Sequence, residues 1–326
     1  MSFSSRVKEE LSGKTDGARH CRIAEITAIL ALAGQVCARE DGRFEIYVCT
    51  DNRWLAKAFF YLVRRCFSVA CEIRMQSARA REGGNRTSWI LAVREPEAAL
   101  RILQASKFAQ IEQDWDEDAE QEGLTADPVL VRNPCCKRAF LRGAFLAAGS
   151  VSDPSAAKSY HLEIVCQEPV MAEFLADLFT EFGIPAKTTE RRNYTVVYLK
   201  DGDDISGALG VMDAPVAMME LENARIEREF RAKVNREVNC EAANIGKTVT
   251  AAEKQIRDIL YIDETVGLKS LPGGLEQMAR LRLEYPDLPL QELGAKAEPP
   301  VGKSGVNHRL RRLAELAAKL RSEEGG

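Results

Sequence analysis

The sequence predicts an α+β protein, in which a duplicated α/β domain with pseudo-twofold symmetry precedes an all-α domain. Three observations carry this. Two apolar helical segments, each ending in glycine, head two runs with the same order of elements, their glycines at Gly34 and Gly149. A solvated acidic stretch separates the copies, and beyond residue 221 no strand candidate remains. The 326 residues suffice for about two domains, possibly three by length alone.

The elements follow in parallel. The leading helices, 23–34 and 139–149, end where a helix C′ residue is expected to take positive φ. Alternating apolar residues then predict strands at 44–49 and 162–166. Amphipathic helices at 54–67 and 169–182 come next, and strands at 70–76 with 89–93 match 186–190 with 194–199. Helices at 95–104 and 203–211 close the units, and a longer polar loop at 77–88 distinguishes the first. The predicted divisions are 1–111 for the first half, 112–128 for the linker, 129–218 for the second half and 221–326 for the helical domain. Within the last, helices are expected at 221–238, 248–262, 275–283 and 303–320, with a short one beginning near 288. Pro272-Gly-Gly274, Tyr285-Pro286 and Pro299-Pro300 break the chain between them.

Composition bounds the function. With 45% hydrophobic and 29% charged residues the chain is neither wholly disordered nor built to span a membrane. The start, Met1-Ser-Phe-Ser-Ser-Arg6, lacks the apolar stretch of a signal peptide, so a cytoplasmic location is expected. The nine cysteines form no C-x-x-C pair, and with three histidines at no metal-ligand spacing they read as buried reduced thiols, with no metal and no cofactor expected. His20 and His161 read as structural. The net charge of −4 hides a segregation: 112–122 holds seven acids and no base, whereas 303–321 holds six bases against Glu315, a net of +5.

The terminal helix carries the candidate site. From about 288 to 321 the pattern is a helix-turn-helix with an extended turn. At 100° per residue Val306, Leu310 and Leu313 share a face that packs inward. Ser304, His308, Arg311 and Arg312 point the other way, flanked by Asn307 and Arg309, with Lys303 at the N-terminus. These residue types suit the major groove of double-stranded DNA: Arg pairs with guanine, Asn with adenine, and Lys, Ser and helix amides with phosphate. The Arg and Glu residues of 222–237 read as i,i+4 pairs on a solvent-spanning helix. The Gly83-Gly84 loop, with Arg79, Arg81 and Arg86, is a weaker phosphate candidate.

The paired glycine-terminated helices resemble the LAGLIDADG homing-endonuclease architecture, whose motif falls on 26–34 and 141–149. That architecture places a metal-binding acid at the eighth motif position, where this chain has Ala33 and Ala148. Alanine offers no oxygen to a hard cation, so no catalytic residue is expected there. Over nearly its full length the chain resembles the WhiA family of bacterial sporulation and cell-division regulators. The carrying strings are Phe3-Ser-Ser-Arg-Val-Lys-Glu-Glu-Leu11, Val238-Asn-Cys-Glu241 with Asn244, Leu281-Arg-Leu-Glu-Tyr-Pro286 and Lys303-Ser-Gly-Val-Asn-His-Arg309. The resemblance implies a non-enzymatic, nucleoid-associated transcription regulator acting in cell division, chromosome segregation or sporulation. The resemblance also implies that the C-terminal domain is the main DNA-binding part and that the N-terminal domain is kept for DNA contacts or for a regulatory protein partner. A residual metal-dependent endonuclease and a protein- or ligand-binding module tethered by its tail are the competing expectations.

Overall fold

The computed structural model describes residues 1–14, 17–39, 43–80, 84–108, 127–156 and 159–324. The acidic stretch 112–122, Arg81 and Gly83 lie outside them. The chain divides into two compact units, Met1–Arg228 and Glu229–Gly326.

The first unit contains the duplication. Its elements are α1 (Phe3–Ser12), α2 (Arg19–Ala33), β1 (Gly34–Ala38), β2 (Phe44–Thr50), α3 (Arg53–Phe67), β3 (Glu72–Ala80), β4 (Gly84–Val93) and α4 (Pro96–Ala105). The second copy supplies α5 (Pro134–Ala148), β5 (Gly149–Val151), β6 (Leu162–Cys166), α6 (Pro169–Glu181), β7 (Lys187–Arg191), β8 (Tyr194–Leu199) and α7 (Gly202–Val211). The two antiparallel sheets share one topology, β1-β2-β4-β3 and β5-β6-β8-β7. Leu91 and Val93 of β4 face Val48 and Ile46 of β2 in register, all four buried under the helices. In the second sheet Ile164 pairs with Val197 and Leu162 with Leu199 in the same way.

Helices α2 and α5 pack on each other at the centre of the unit, and both ends of one coincide with the ends of the other at the 115-residue offset. They approach closely at Gly143, whose equivalent at this offset is Ala28. A Cβ on Gly143 would stand 2.5 Å from the Glu25 carbonyl oxygen and 3.1 Å from the Ala28 methyl, so only glycine permits this contact. Beside it the buried Arg142 donates to both Glu25 carboxylate oxygens, from Nε at 3.1 Å and Nη2 at 2.8 Å. Burial pushes the Glu25 carboxyl pKa up, and the Arg142 cation opposes that rise.

Four sequence expectations are corrected. Gly34 and Gly149 have φ of −86° and −82°, extended rather than left-handed. They open β1 and β5, short strands the sequence pattern did not reveal. Glycine is needed there for space: a Cβ would lie 2.5 Å from the Leu30 oxygen at Gly34 and 2.3 Å from the Phe145 ring at Gly149. The polar stretch 77–88 is mostly hairpin, since β3 reaches Ala80 and β4 starts at Gly84 in unbroken register. The helices expected at 221–238 and 248–262 belong to one helix, α8 (Pro215–Thr265). Its first turns are docked rather than solvent-spanning: Arg225 pairs with Asp203 and Glu222, and Arg228 donates to the Pro154 carbonyl and lies over the Tyr160 ring.

The string around α1 is explained by packing. Phe3, Val7 and Leu11 are fully buried, and the Glu10 carboxylate accepts from the Val216 and Ala217 amides, capping the first turn of α8. Among the described residues no helix is long and apolar enough to cross a membrane.

Candidate nucleic-acid interface

The second unit is built from the end of α8, α9 (Gly273–Glu284), α10 (Leu290–Ala295) and α11 (Lys303–Glu324) around a small core. Ile259, Ile262, Met278, Ala279, Leu293, Val306, Leu310, Leu313 and Ala317 are all nearly or fully buried. The inward face of α11 is therefore the one its 3.6-residue periodicity predicts, and this phases the rest of the helix.

The turn between α10 and α11 is tightly packed. The Val301 amide donates to the Gly294 carbonyl at 2.9 Å, and a Cβ on Gly294 would overlap the Val301 oxygen at 2.0 Å. On the other side of α10, the buried Arg282 donates from Nη1 to the carbonyls of Pro286, at 3.2 Å, and Leu288, at 2.9 Å. These bonds hold the Tyr285-Pro286 exit from α9, and burial lowers the Arg282 pKa without neutralising it. The arginine of the Leu281–Pro286 string is thus a structural residue of the turn.

With α11 phased, Lys303, Ser304, Asn307, His308, Arg311 and Arg312 are all exposed. Arg311 carries only an exposed ion pair, to Glu315 at 3.3 Å, of the kind that gives way readily to a stronger partner. Among the described residues Lys303 and Arg312 have no ion pair. Arg309 differs from its neighbours. It is half-buried, its guanidinium covers Gly274 at the start of α9, and its Nη1 is out of solvent with no hydrogen-bond partner among the described residues. Arg321 is also turned inward, pairing with the buried Asp258 at 2.8 Å and lying over the Tyr261 ring. The outward charge of α11 is consequently concentrated in its first three turns, where the helix amides also point toward anions.

The equivalent of a nuclease centre is different in kind. Ala33 and Ala148 are half-buried at the ends of α2 and α5. The groove beside Gly149 and Ser150 is lined by Ser2, Ser4, Lys8, Asp51 and Asn52, with Trp54 and Trp89. Burial lowers the Lys8 ammonium to about 8, against the pull of Asp51. Among the described residues no group of three acids converges there. Asp51 with a neighbouring ammonium is a poor seat for a divalent cation. On the adjoining sheet Arg74 and Arg94 both pair with Glu72, at 3.9 and 3.4 Å, which reduces its cationic character.

Comparison with known proteins follows this division. Residues 137–231 match the model of the WhiA LAGLIDADG-like domain and residues 234–317 that of the WhiA C-terminal HTH domain. A protein of Lachnoclostridium phytofermentans named "Probable cell division protein WhiA" is 45% identical over 98% of this chain and all of its own length. One of the same name from Lachnospira eligens is 44% identical over 100% of this chain and 99% of its own. The crystal structure of full-length DUF199/WhiA from Thermatoga maritima, 24% identical, superposes with a TM-score of 0.59 over 98% of this chain and 99% of that one, a likeness of fold.

Proposed function

The chain belongs to the WhiA family, and from that premise we propose that it is a sequence-specific DNA-binding transcription regulator acting in cell division, with no nuclease activity of its own. The observation that carries the reading is the exposed row Lys303, Ser304, Asn307, His308, Arg311 and Arg312 on a helix whose opposite face is buried. In this reading α11 enters the major groove by its first turns. Arg311 and Arg312 read base edges, Asn307 and His308 flank them, and Lys303, Ser304 and the helix amides fix the backbone. Arg309 supports the reading helix from behind, through its contact with Gly274.

The names of the relatives support a role in cell division, and a soluble, nucleoid-associated location follows from DNA binding. Ala33 and Ala148 support the absence of catalysis, because the paired motif acids of the two-metal route are missing. Replacing Arg311 and Arg312 by Ala in the full chain is expected to lower specific affinity by about 1–3 kcal/mol per base-contacting arginine. Thermal unfolding should not change, since both side chains are exposed. Unchanged affinity for a selected site would sink the residue assignment.

A further inference from the structure

We propose that the first unit binds a single zinc ion through His20, Cys21, Cys135 and Cys136. The two pairs are 114 residues apart along the chain, yet their ligand atoms all lie within 4.8 Å of one another. His20 Nδ1 is 3.0 Å from Cys136 Sγ and 3.4 Å from Cys21 Sγ. A tetrahedral zinc with Zn–S near 2.3 Å and Zn–N near 2.0–2.1 Å holds its ligand atoms about 3.6–3.8 Å apart. Side-chain adjustments of about an ångström would close this tetrad on one ion.

The duplication explains why four ligands meet. His20 and Cys135 are equivalent at the 115-residue offset, and so are Cys21 and Cys136. They occupy the second and third positions of α2 and α5, which pack against each other. Residues at the same place on two such helices converge, so a vicinal pair on each becomes one set of four.

The chemistry of the donors selects the ion. Three thiols and an imidazole are soft to borderline ligands, suited to zinc and poorly suited to Mg²⁺ or Ca²⁺. On binding, the three thiols release their protons to solvent and His20 coordinates through Nδ1, leaving the proton on Nε2. Cys21 and Cys136 are buried whereas His20 and Cys135 are exposed, so the ion has a way in and the imidazole Nε2 proton can be donated to water. All nine cysteines are free thiols, and no disulfide consumes the ligands. The ion would fasten the opening turns of the two central helices, and so the two halves of the unit, at the ends remote from Gly34 and Gly149.

The test is the metal content of the full chain purified under reducing conditions without chelator. About one zinc per chain is expected, with the same value in Cys240→Ser, which alters an exposed thiol in the other unit. In the His20→Asn/Cys135→Ser double variant, which changes only exposed ligands, zinc should fall below about a tenth of an equivalent while the circular dichroism of the native chain persists. Cobalt exchanged into the wild-type chain should give the intense visible bands of a tetrahedral site and thiolate charge transfer, both lost in Cys21→Ser. Undiminished zinc in the double variant would overturn the proposal. So would a wild-type chain that neither retains zinc nor takes up cobalt on thiolate, a Cys21–Cys136 disulfide in the reduced preparation, or iron with inorganic sulfide in place of zinc.

Discussion

Removing Arg142 should expose how the two halves are locked together. Among the described residues its guanidinium is the sole hydrogen-bond partner of a Glu25 carboxylate that is 1% exposed, and both carboxylate oxygens depend on it. In an Arg142→Met variant Glu25 is left either as an unpaired buried charge or as an acid that must be protonated at neutral pH. Breaking a buried pair in this way costs about 3–5 kcal/mol. Replacing both residues, Glu25→Leu with Arg142→Met, removes the desolvated charges together and should lie within about 1–2 kcal/mol of wild type. The effects are thus strongly non-additive. Urea unfolding followed by tryptophan fluorescence is a suitable assay, because Trp54 and Trp89 lie in the first unit and residues 229–326 contain no tryptophan. A pH signature accompanies the loss. Without Arg142, burial raises the Glu25 pKa unopposed, so the variant keeps its stability below the ordinary carboxylate pKa and loses it as pH rises through the elevated one. The gap from wild type should widen upward from about pH 4.5. Single variants whose costs simply add in the double variant, or an Arg142→Met cost below about 1 kcal/mol, would refute this reasoning.

Three further changes are diagnostic. Gly143→Ala should destabilise the first unit by about 1–3 kcal/mol in the same urea assay, because its methyl meets the Glu25 carbonyl oxygen at 2.5 Å; a stability equal to wild type would contradict the close approach. Lys8→Met should stabilise the protein at pH 7, where wild type carries a desolvated ammonium. The folded pKa of about 8 lies below the ordinary lysine value of 10.5, so wild type gains on the variant as pH rises between the two, by at most about 3 kcal/mol; a pH-independent difference would contradict it. Arg282→Met should loosen the second unit by about 2–3 kcal/mol, since two carbonyls lose a charge-assisted donor, with amide exchange accelerating at 285–293.

The sequence exposed these features unevenly, for physical reasons. The duplication was legible because buried helices and strands repeat their apolar periods, and α2 and α5 match end for end at the glycine offset. The conformation at Gly34 and Gly149 was not, because glycine serves positive φ and crowding alike, and only coordinates distinguish a left-handed cap from a helix that turns directly into a strand. Strands β1 and β5 leave little trace in the sequence because they span only five and three residues. In α8 the segment 239–247 is exposed throughout and carries no buried stripe to join the helices expected on either side of it. The exposed row of α11 was readable because Val306, Leu310 and Leu313 fix its phase. Arg309 and Arg321 looked available because a charge count ignores the inward contacts with Gly274 and Asp258. The His20–Cys136 tetrad eluded spacing rules because its ligands come from two symmetry-related helices rather than from one local loop.

The central claim is that the chain reads a DNA sequence through α11 and does not cut it. The most direct measurement is selection of pooled genomic fragments by the full chain in the presence of Mg²⁺, with the retained DNA sequenced and checked for strand breaks. The account predicts intact fragments sharing a short common sequence, and loss of that enrichment in the Arg311→Ala/Arg312→Ala variant. Retained DNA without a common sequence, or with breaks at one, would contradict it.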